Sequence, residues 1–260
     1  QYNPSSLRLP DSDAPGRIEF EKKFKSLPNL ADSCGPFFER LSQDCLEMCL
    51  RVWSATDLQL KVRRGSDHTI ESLDCLRENN WLSGLVIDDV LKMFSDDPLI
   101  NEEKCMVLNS DLFTQLSKKT VSKRTENRLK KMNLLSKRVL IPILLGSNHW
   151  TLAVVDPFWT GITILDSIVN AEGSEEKRNE AMDRIVELYE KLHPETKGQW
   201  SKFSSLPVPQ QTNGSDCGIY LILNVLYSFG FRNKYDYPNE LARYMRYRLV
   251  NTLVHGDVFK

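Results

Sequence analysis

Residues 139–166, VLIPILLGSNHWTLAVVDPFWTGITILD, read as three short runs rich in β-branched and aromatic residues, separated by the turn-forming stretches GSN and PFWTG. Each run is too short for a helix, so the three are expected to pair in succession as antiparallel strands. Beyond them, GSEEKRNEAMDRIVELYEKLH predicts a helix with Ser174 as its cap, acids in the first turn, and Met182, Ile185, Val186, Tyr189 and Leu192 on one face. FSSLPVPQ reads as a strand broken by proline, and CGIYLILNVLYSF, apolar on every side, as a buried central helix. NELARYMRYRLVNTLV gives a last helix. Strands grouped between helices argue an α+β fold with a central, mostly antiparallel sheet flanked by helices.

Upstream, residues 1–17 hold Pro4, Pro10, Pro15 and Gly16 with no apolar period and read as a flexible lead-in. In PFFERLSQDCLEMCLRVW, apolar residues recur at three- and four-residue steps, which predicts an amphipathic helix with Cys45 and Cys49 on one face. It belongs to a helical extension over 18–65, ahead of a main domain over 66–260. WLSGLVIDDVLKMF predicts a helix capped by Ser83, directly after Trp81, and MVLNSDLFTQLSKKT a short strand followed by a helix.

The balance of 34 Lys and Arg against 35 Asp and Glu leaves no global field to favour a nucleic acid or an anionic membrane. The one local concentration, nine basic residues between Lys118 and Arg138 against the single acid Glu126, has no aromatic interleaving and reads as a solvated helix face and loop, so no nucleic acid partner is expected. The six cysteines (Cys34, Cys45, Cys49, Cys75, Cys105, Cys217) follow no disulfide framework, and QYNPSSLRLP lacks the features of a signal peptide. Free thiols in a reducing intracellular compartment, nucleus or cytoplasm, are expected, in a monomer. No apolar run approaches the roughly 20 residues that span a bilayer. Cys45 and Cys49 lack a second pair of ligands, and there is no glycine-rich phosphate loop, so neither a metal nor a cofactor is expected.

The polar run QQTNGSD leads straight into Cys217, Gly218 and the apolar helix. A cysteine at a helix N-terminus meets unpaired amides and the positive end of the dipole, which favours a thiolate, and an exposed sulfur is expected there. Gly218 leaves room for a substrate backbone to approach, and NGSD lets the chain bend into the helix. The base must come from His68, His149, His193 or His255. His149 opens a strand after a turn, and pairing of the next two strands would bring Asp166, at the end of ITILD, beside it. On spacing alone His149 also reads as a structural histidine, Gln211 as a turn residue, and Trp81 and Trp150 as core anchors.

NHW at 148–150, ILDS at 164–167 and QQTNGSDCG at 210–218 resemble the three catalytic blocks of the ubiquitin-like-protein proteases, the sentrin/SUMO-specific family of papain-like cysteine peptidases. The order His, Asp, Cys also matches, and the resemblance covers roughly residues 65–255. It implies a papain-like fold with the catalytic cysteine at the N-terminus of a buried helix. It further implies Cys217 as nucleophile, His149 as base and later acid, Asp166 as the group that fixes the imidazole, and Gln211 with the Cys217 amide as oxyanion donors. Trp81, in the WLSG block, and Trp150 resemble the two indoles that cover the modifier's Gly-Gly terminus, with Gly218 beside them. The implied activity is hydrolysis after the C-terminal Gly-Gly of a ubiquitin-like modifier, SUMO foremost, through a thioester, with the modifier and its conjugates as partners. Gly84 stands where many SUMO-cleaving members carry Asp, and Asp88 or Asp89 could substitute. Ubiquitin or another modifier, an acetyltransferase on the same triad, and a silent modifier-binding module are the alternative readings.

Overall fold

The computed structural model describes residues 7–27, 29, 31, 36–101, 104–171, 173–203, 206–231 and 234–259; Cys34 and residues 1–6 of the lead-in lie outside them. The chain divides into two compact units that interleave in sequence: residues 1–93, 213–219 and 237–260 form one, and residues 94–212 and 220–236 the other.

The second unit is built on the 139–166 stretch. A five-stranded sheet runs in the order β1 (Met106–Val107), β2 (Val139–Leu145), β3 (His149–Asp156), β4 (Gly161–Leu165), β5 (Ser201–Phe203). The three central strands are antiparallel, as their turn spacing predicts. The edge strands β1 and β5 pair in parallel, which makes the sheet mixed. Gly146 (φ 57°) and Ser147 (φ 67°) take the left-handed conformation that closes the turn between β2 and β3. That turn sets Leu145 opposite His149 and so fixes His149 at the first position of β3. The strand expected in FSSLPVPQ lies earlier, at Ser201–Phe203, because Pro207 and Pro209 have no N–H to give a ladder.

Helix Ser174–Leu192 covers this sheet with Ile185, Leu188 and Tyr189, which are buried with Ile141, Ile143 and Ile164 in one core. Ser174 is its first helical residue and not its cap. Gly173 precedes the helix at φ 69°, and the Ser174 hydroxyl donates instead to the Val169 carbonyl at 2.8 Å. The basic run forms helix Lys123–Lys131, with Ser122 accepting at its N-terminus from the Thr125 N–H, and turns its cations to solvent as expected.

The first unit is helical. Helix Pro15–Lys25 opens on a proline, whose missing N–H costs nothing at a helix start, within the stretch expected to be a flexible lead-in. The predicted helix around Cys45 starts later than its apolar period suggests, at Gln43, because Ser42 caps it by accepting from the Cys45 N–H; a 3₁₀ turn holds Pro36–Phe38. Helix Gln43–Trp53 packs on the C-terminal helix Glu240–His255, where Asn251 donates to the Cys45 carbonyl at 3.2 Å, and Phe20, Trp53 and Tyr247 meet edge to face. Helix Gly84–Asp96 begins in this unit, with Ser83 accepting from the Val86 N–H as expected. Helix Cys217–Leu226, apolar all round, starts in the first unit and continues in the second.

Truncating Ile185, fully buried under the sheet, to alanine is expected to lower unfolding free energy by about 2–5 kcal/mol in urea titration. An effect under about 0.5 kcal/mol would contradict this placement of the core.

Candidate active site

In the second unit the hairpin delivers what its register promises. His149 Nε2 lies 2.7 Å from Asp166 Oδ1. Asp166 is 0% exposed, and a carboxylate so buried needs donors on both oxygens. The Ile168 N–H donates to Oδ1 at 2.8 Å and the Arg178 Nη1 to Oδ2 at 2.8 Å. Burial pushes the Asp166 carboxyl up, but hydrogen bonds from His149 and Ile168, with Arg178, outweigh it and hold the group below its ordinary value. The imidazole is thereby tied through Nε2 to an ionised carboxylate, which fixes the orientation of the ring.

Ser167, next in chain, donates its hydroxyl to Gln211 Oε1 at 2.7 Å, and the Gln211 N–H donates to the Ser167 carbonyl at 3.0 Å. This fixes which end of the Gln211 amide is oxygen. Gln210 binds the same segment, donating to the Asp166 carbonyl at 3.0 Å and accepting from the Val169 N–H at 3.0 Å. Trp150, beside His149 on β3, is buried.

The first unit holds Cys217, Gly218 and Trp81. Cys217 opens its helix as predicted, but it is 3% exposed, so the expected exposed sulfur is a buried one. The bend before it comes from Asn213, whose Oδ1 accepts from the Ser215 and Asp216 N–H groups at 2.9 and 3.0 Å. The bend thus falls in NGSD as expected, and within it Gly214 has no positive φ and open space where a Cβ would stand. Trp81 is 55% exposed and donates its indole N–H to the Gly214 carbonyl at 2.8 Å.

The other histidines have local partners. His68, expected in a polar loop, is buried, with Nε2 2.8 Å from Asp89 Oδ2; burial pushes its basicity down against the pull of that carboxylate. Asp89 is therefore engaged by His68 and does not stand free to replace the acid absent at Gly84. His255 Nδ1 is 2.9 Å from the Asn251 carbonyl oxygen, and His193 Nδ1 is 3.5 Å from Glu195. Cys45, Cys49, Cys75 and Cys105 carry reduced thiols, and burial pushes those of Cys49 and Cys75 up. Among the described residues no group of three or more His, Cys, Asp or Glu side chains could hold a metal ion, and no helix is long and apolar enough to cross a membrane.

The sequence assigned no role to Ser167 and Gln210, although both stand in the quoted motif blocks, nor to Arg178. Outside those blocks Arg178 left a signal of its own: it falls four residues before Met182, on the face of its helix that is otherwise apolar.

Two outcomes follow from the buried carboxylate. Removing its cation in Arg178→Met is expected to cost about 3–5 kcal/mol, measured in urea, because Asp166 keeps an uncompensated charge. A folded value below the ordinary 3.8 means that the Asp166 charge stabilises fully above pH 3.8, and that this contribution disappears as pH falls through the folded value. The stability gap between the parent chain and Asp166→Asn should thus be widest near neutrality and close in acid. A gap independent of pH would remove the charge from this account.

The family model described as "Ulp1 protease family, C-terminal catalytic domain" matches residues 80–235. The chain is similar to ubiquitin-like-specific protease 1 of Saccharomyces cerevisiae, 26% identical over 217 residues that cover 80% of this chain and 32% of that protein. It is similar also to ubiquitin-like-specific protease 2 of the same yeast, 23% identical over 265 residues, 86% of this chain and 25% of that protein. The chain thus spans about a third or less of the length of these relatives. Among solved structures, the SUMO protease Ulp1 with its catalytic cysteine oxidized to a sulfonic acid aligns with a TM-score of 0.71 at 20% identity, over 85% of this chain and 98% of that one. The C-terminal Ulp1 protease domain in complex with Smt3, the yeast ortholog of SUMO, aligns with a TM-score of 0.62 at 21% identity, over 97% and 99%. At such identities the structural likeness establishes the α+β fold, while the family match over more than half of the sequence carries membership: this chain belongs to the Ulp1 protease family.

Proposed function

We propose that this chain is a cysteine isopeptidase and endopeptidase that cleaves after the C-terminal Gly-Gly of a ubiquitin-like modifier, SUMO foremost, through a thioester on Cys217. The observation that carries the reading is the His149–Asp166 pair, an imidazole held at 2.7 Å by a carboxylate that is itself anchored by Arg178, in a member of a cysteine protease family. A merely structural histidine has no need of so well-held an acid.

In this reading His149 Nδ1 takes the Cys217 thiol proton, because Nε2–H is committed to Asp166. The thiolate attacks the glycine carbonyl carbon. The tetrahedral oxyanion accepts hydrogen bonds from the Gln211 side-chain amide and the Cys217 N–H. On collapse the C–N bond breaks, and the His149 imidazolium gives its proton to the departing lysine amine. Water, deprotonated by His149, then attacks the thioester carbonyl; the C–S bond breaks, the His149 imidazolium returns its proton to the Cys217 thiolate, and the modifier leaves with a carboxyl terminus. Asp166 stays ionised throughout and stabilises the imidazolium. The Ser167 hydroxyl supports this by holding Gln211 Oε1, which turns the amide nitrogen into the donor end. Trp81, Trp150 and Gly218 would line the slot for the Gly-Gly segment, where flat rings over an extended chain leave no space for side chains. Smt3, bound to the Ulp1 protease domain in a solved complex, supports SUMO as the modifier. An intracellular place of work, nucleus or cytoplasm, is part of the proposal and is supported by the reduced thiols.

Kinetics on SUMO fused through Gly-Gly to a reporter, and on a SUMO–lysine isopeptide conjugate, test this. Cys217→Ala should abolish turnover, and Gln211→Ala should lower kcat by about 10²–10³ with little change in KM. A ubiquitin reporter should be cleaved far more slowly. Turnover that persists in Cys217→Ala, or a folded chain that cleaves no Gly-Gly modifier, would overturn the reading.

A further inference from the structure

Arg246, on the C-terminal helix, lies beyond the residues that the family match covers, and its guanidinium is 2% exposed. Its donors reach two separate segments. Nε and Nη2 donate to Asp216 Oδ1 at 3.0 and 2.6 Å, and Nη2 to the Ser215 carbonyl at 3.2 Å. Nη1 donates to the carbonyls of Cys75 and Arg77 at 3.2 and 2.7 Å, and Nη2 to that of Asn80 at 2.9 Å. One segment is the turn that ends at Cys217. The other is the loop that ends at Trp81.

We propose that Arg246 is a positioning residue that holds the Cys217 turn and the Trp81 loop as one rigid body, so that the nucleophile and an indole over the substrate keep a fixed separation. This rests on the roles of Cys217 and Trp81 in the function proposed above. Three physical points carry it. First, a buried ion pair adds little to stability beyond what an apolar pair would give, so stability alone does not account for a guanidinium here. Second, the three carbonyls at 75, 77 and 80 and the acceptors at 215 and 216 all converge on this one guanidinium. Only the five N–H groups of arginine, set in a fixed fork, can serve them together; lysine offers three donors from a single point. Third, the link is closed a second time, since Trp81 itself donates to the Gly214 carbonyl at 2.8 Å. The Asp216 carboxylate that Arg246 pairs with belongs to the residue directly before Cys217.

The test compares the full chain with Arg246→Lys, Arg246→Ala and a control, Arg248→Lys. Arg248 is a buried arginine of the same helix that donates to Tyr244 and the Val258 carbonyl instead. Folded fraction is measured by circular dichroism, and two readouts are normalised to it: turnover of a SUMO Gly-Gly reporter and alkylation of Cys217 by iodoacetamide. Arg246→Lys, which keeps the buried charge, should lose about 10- to 100-fold in kcat/KM, with KM raised as well as kcat lowered. Its alkylation should slow, while Arg248→Lys stays near the parent on both. Millimolar guanidinium should restore part of the loss in Arg246→Ala. Normal turnover and alkylation in folded Arg246→Lys, or losses in Arg246→Lys that match those of Arg248→Lys, would overturn the proposal. A parent chain that cleaves no modifier, but whose Cys217 alkylation falls in Arg246→Ala and returns with guanidinium, would sink the substrate reading and leave the positioning of the thiol supported.

Discussion

A carboxylate with no solvent exposure is the constraint around which the second unit is arranged. Asp166 keeps its charge in the interior only because His149, the Ile168 N–H and Arg178 reach it together, and each comes from a different element: the start of β3, the chain just past β4 and helix Ser174–Leu192. Losing any one leaves a buried charge short of a donor, which costs more than an ordinary hydrogen bond contributes. The sheet register, the docking of that helix and the orientation of one imidazole are thus coupled through a single side chain. The same neighbourhood extends to Gln211 through Ser167 and to the Asp166 main chain through Gln210, so the two successive glutamines do different work.

The first unit solves a comparable problem with the opposite charge. Arg246 is buried, and its acceptors are mostly main-chain carbonyls, which lack the mobility to follow a misplaced cation. Asn213, Trp81 and Arg246 each hold a different atom of the turn before Cys217. That turn is specified by side chains rather than by glycine freedom, since Gly214 needs neither a left-handed φ nor the space that its missing Cβ leaves. Both units therefore use buried charge to hold short segments, the stretch after β4 in one and the turn before Cys217 in the other.

Much of this was legible in the sequence, and the divisions are physical. Local period and turn chemistry exposed the three central strands, the helix at Cys217 and the hairpin that brings His149 to Asp166, because those interactions span few residues. The proline-broken strand and the Ser174 cap were misplaced by a few residues, where Pro207 and Gly173 override propensity. The motif blocks marked Gln211 and Trp81, yet their partners escaped. Ser167 is 44 residues from Gln211, Gly214 is 133 from Trp81 and Asp216 is 30 from Arg246, and nothing in a one-dimensional pattern ties such pairs together. Arg178 was detectable only as a charge on an otherwise apolar face. The buried state of Cys217 was missed because a helix N-terminus favours a thiolate without fixing its exposure.

The central claim, that Cys217 is the group acylated by a Gly-Gly terminus, is tested most directly by peptide mapping after reaction with SUMO carrying an electrophile at its C-terminus. The account predicts one adduct per chain, confined to the peptide that contains Cys217, and greatly slowed in His149→Ala. An adduct on Cys45 or Cys75, or none in a folded and fully reduced sample, would contradict it.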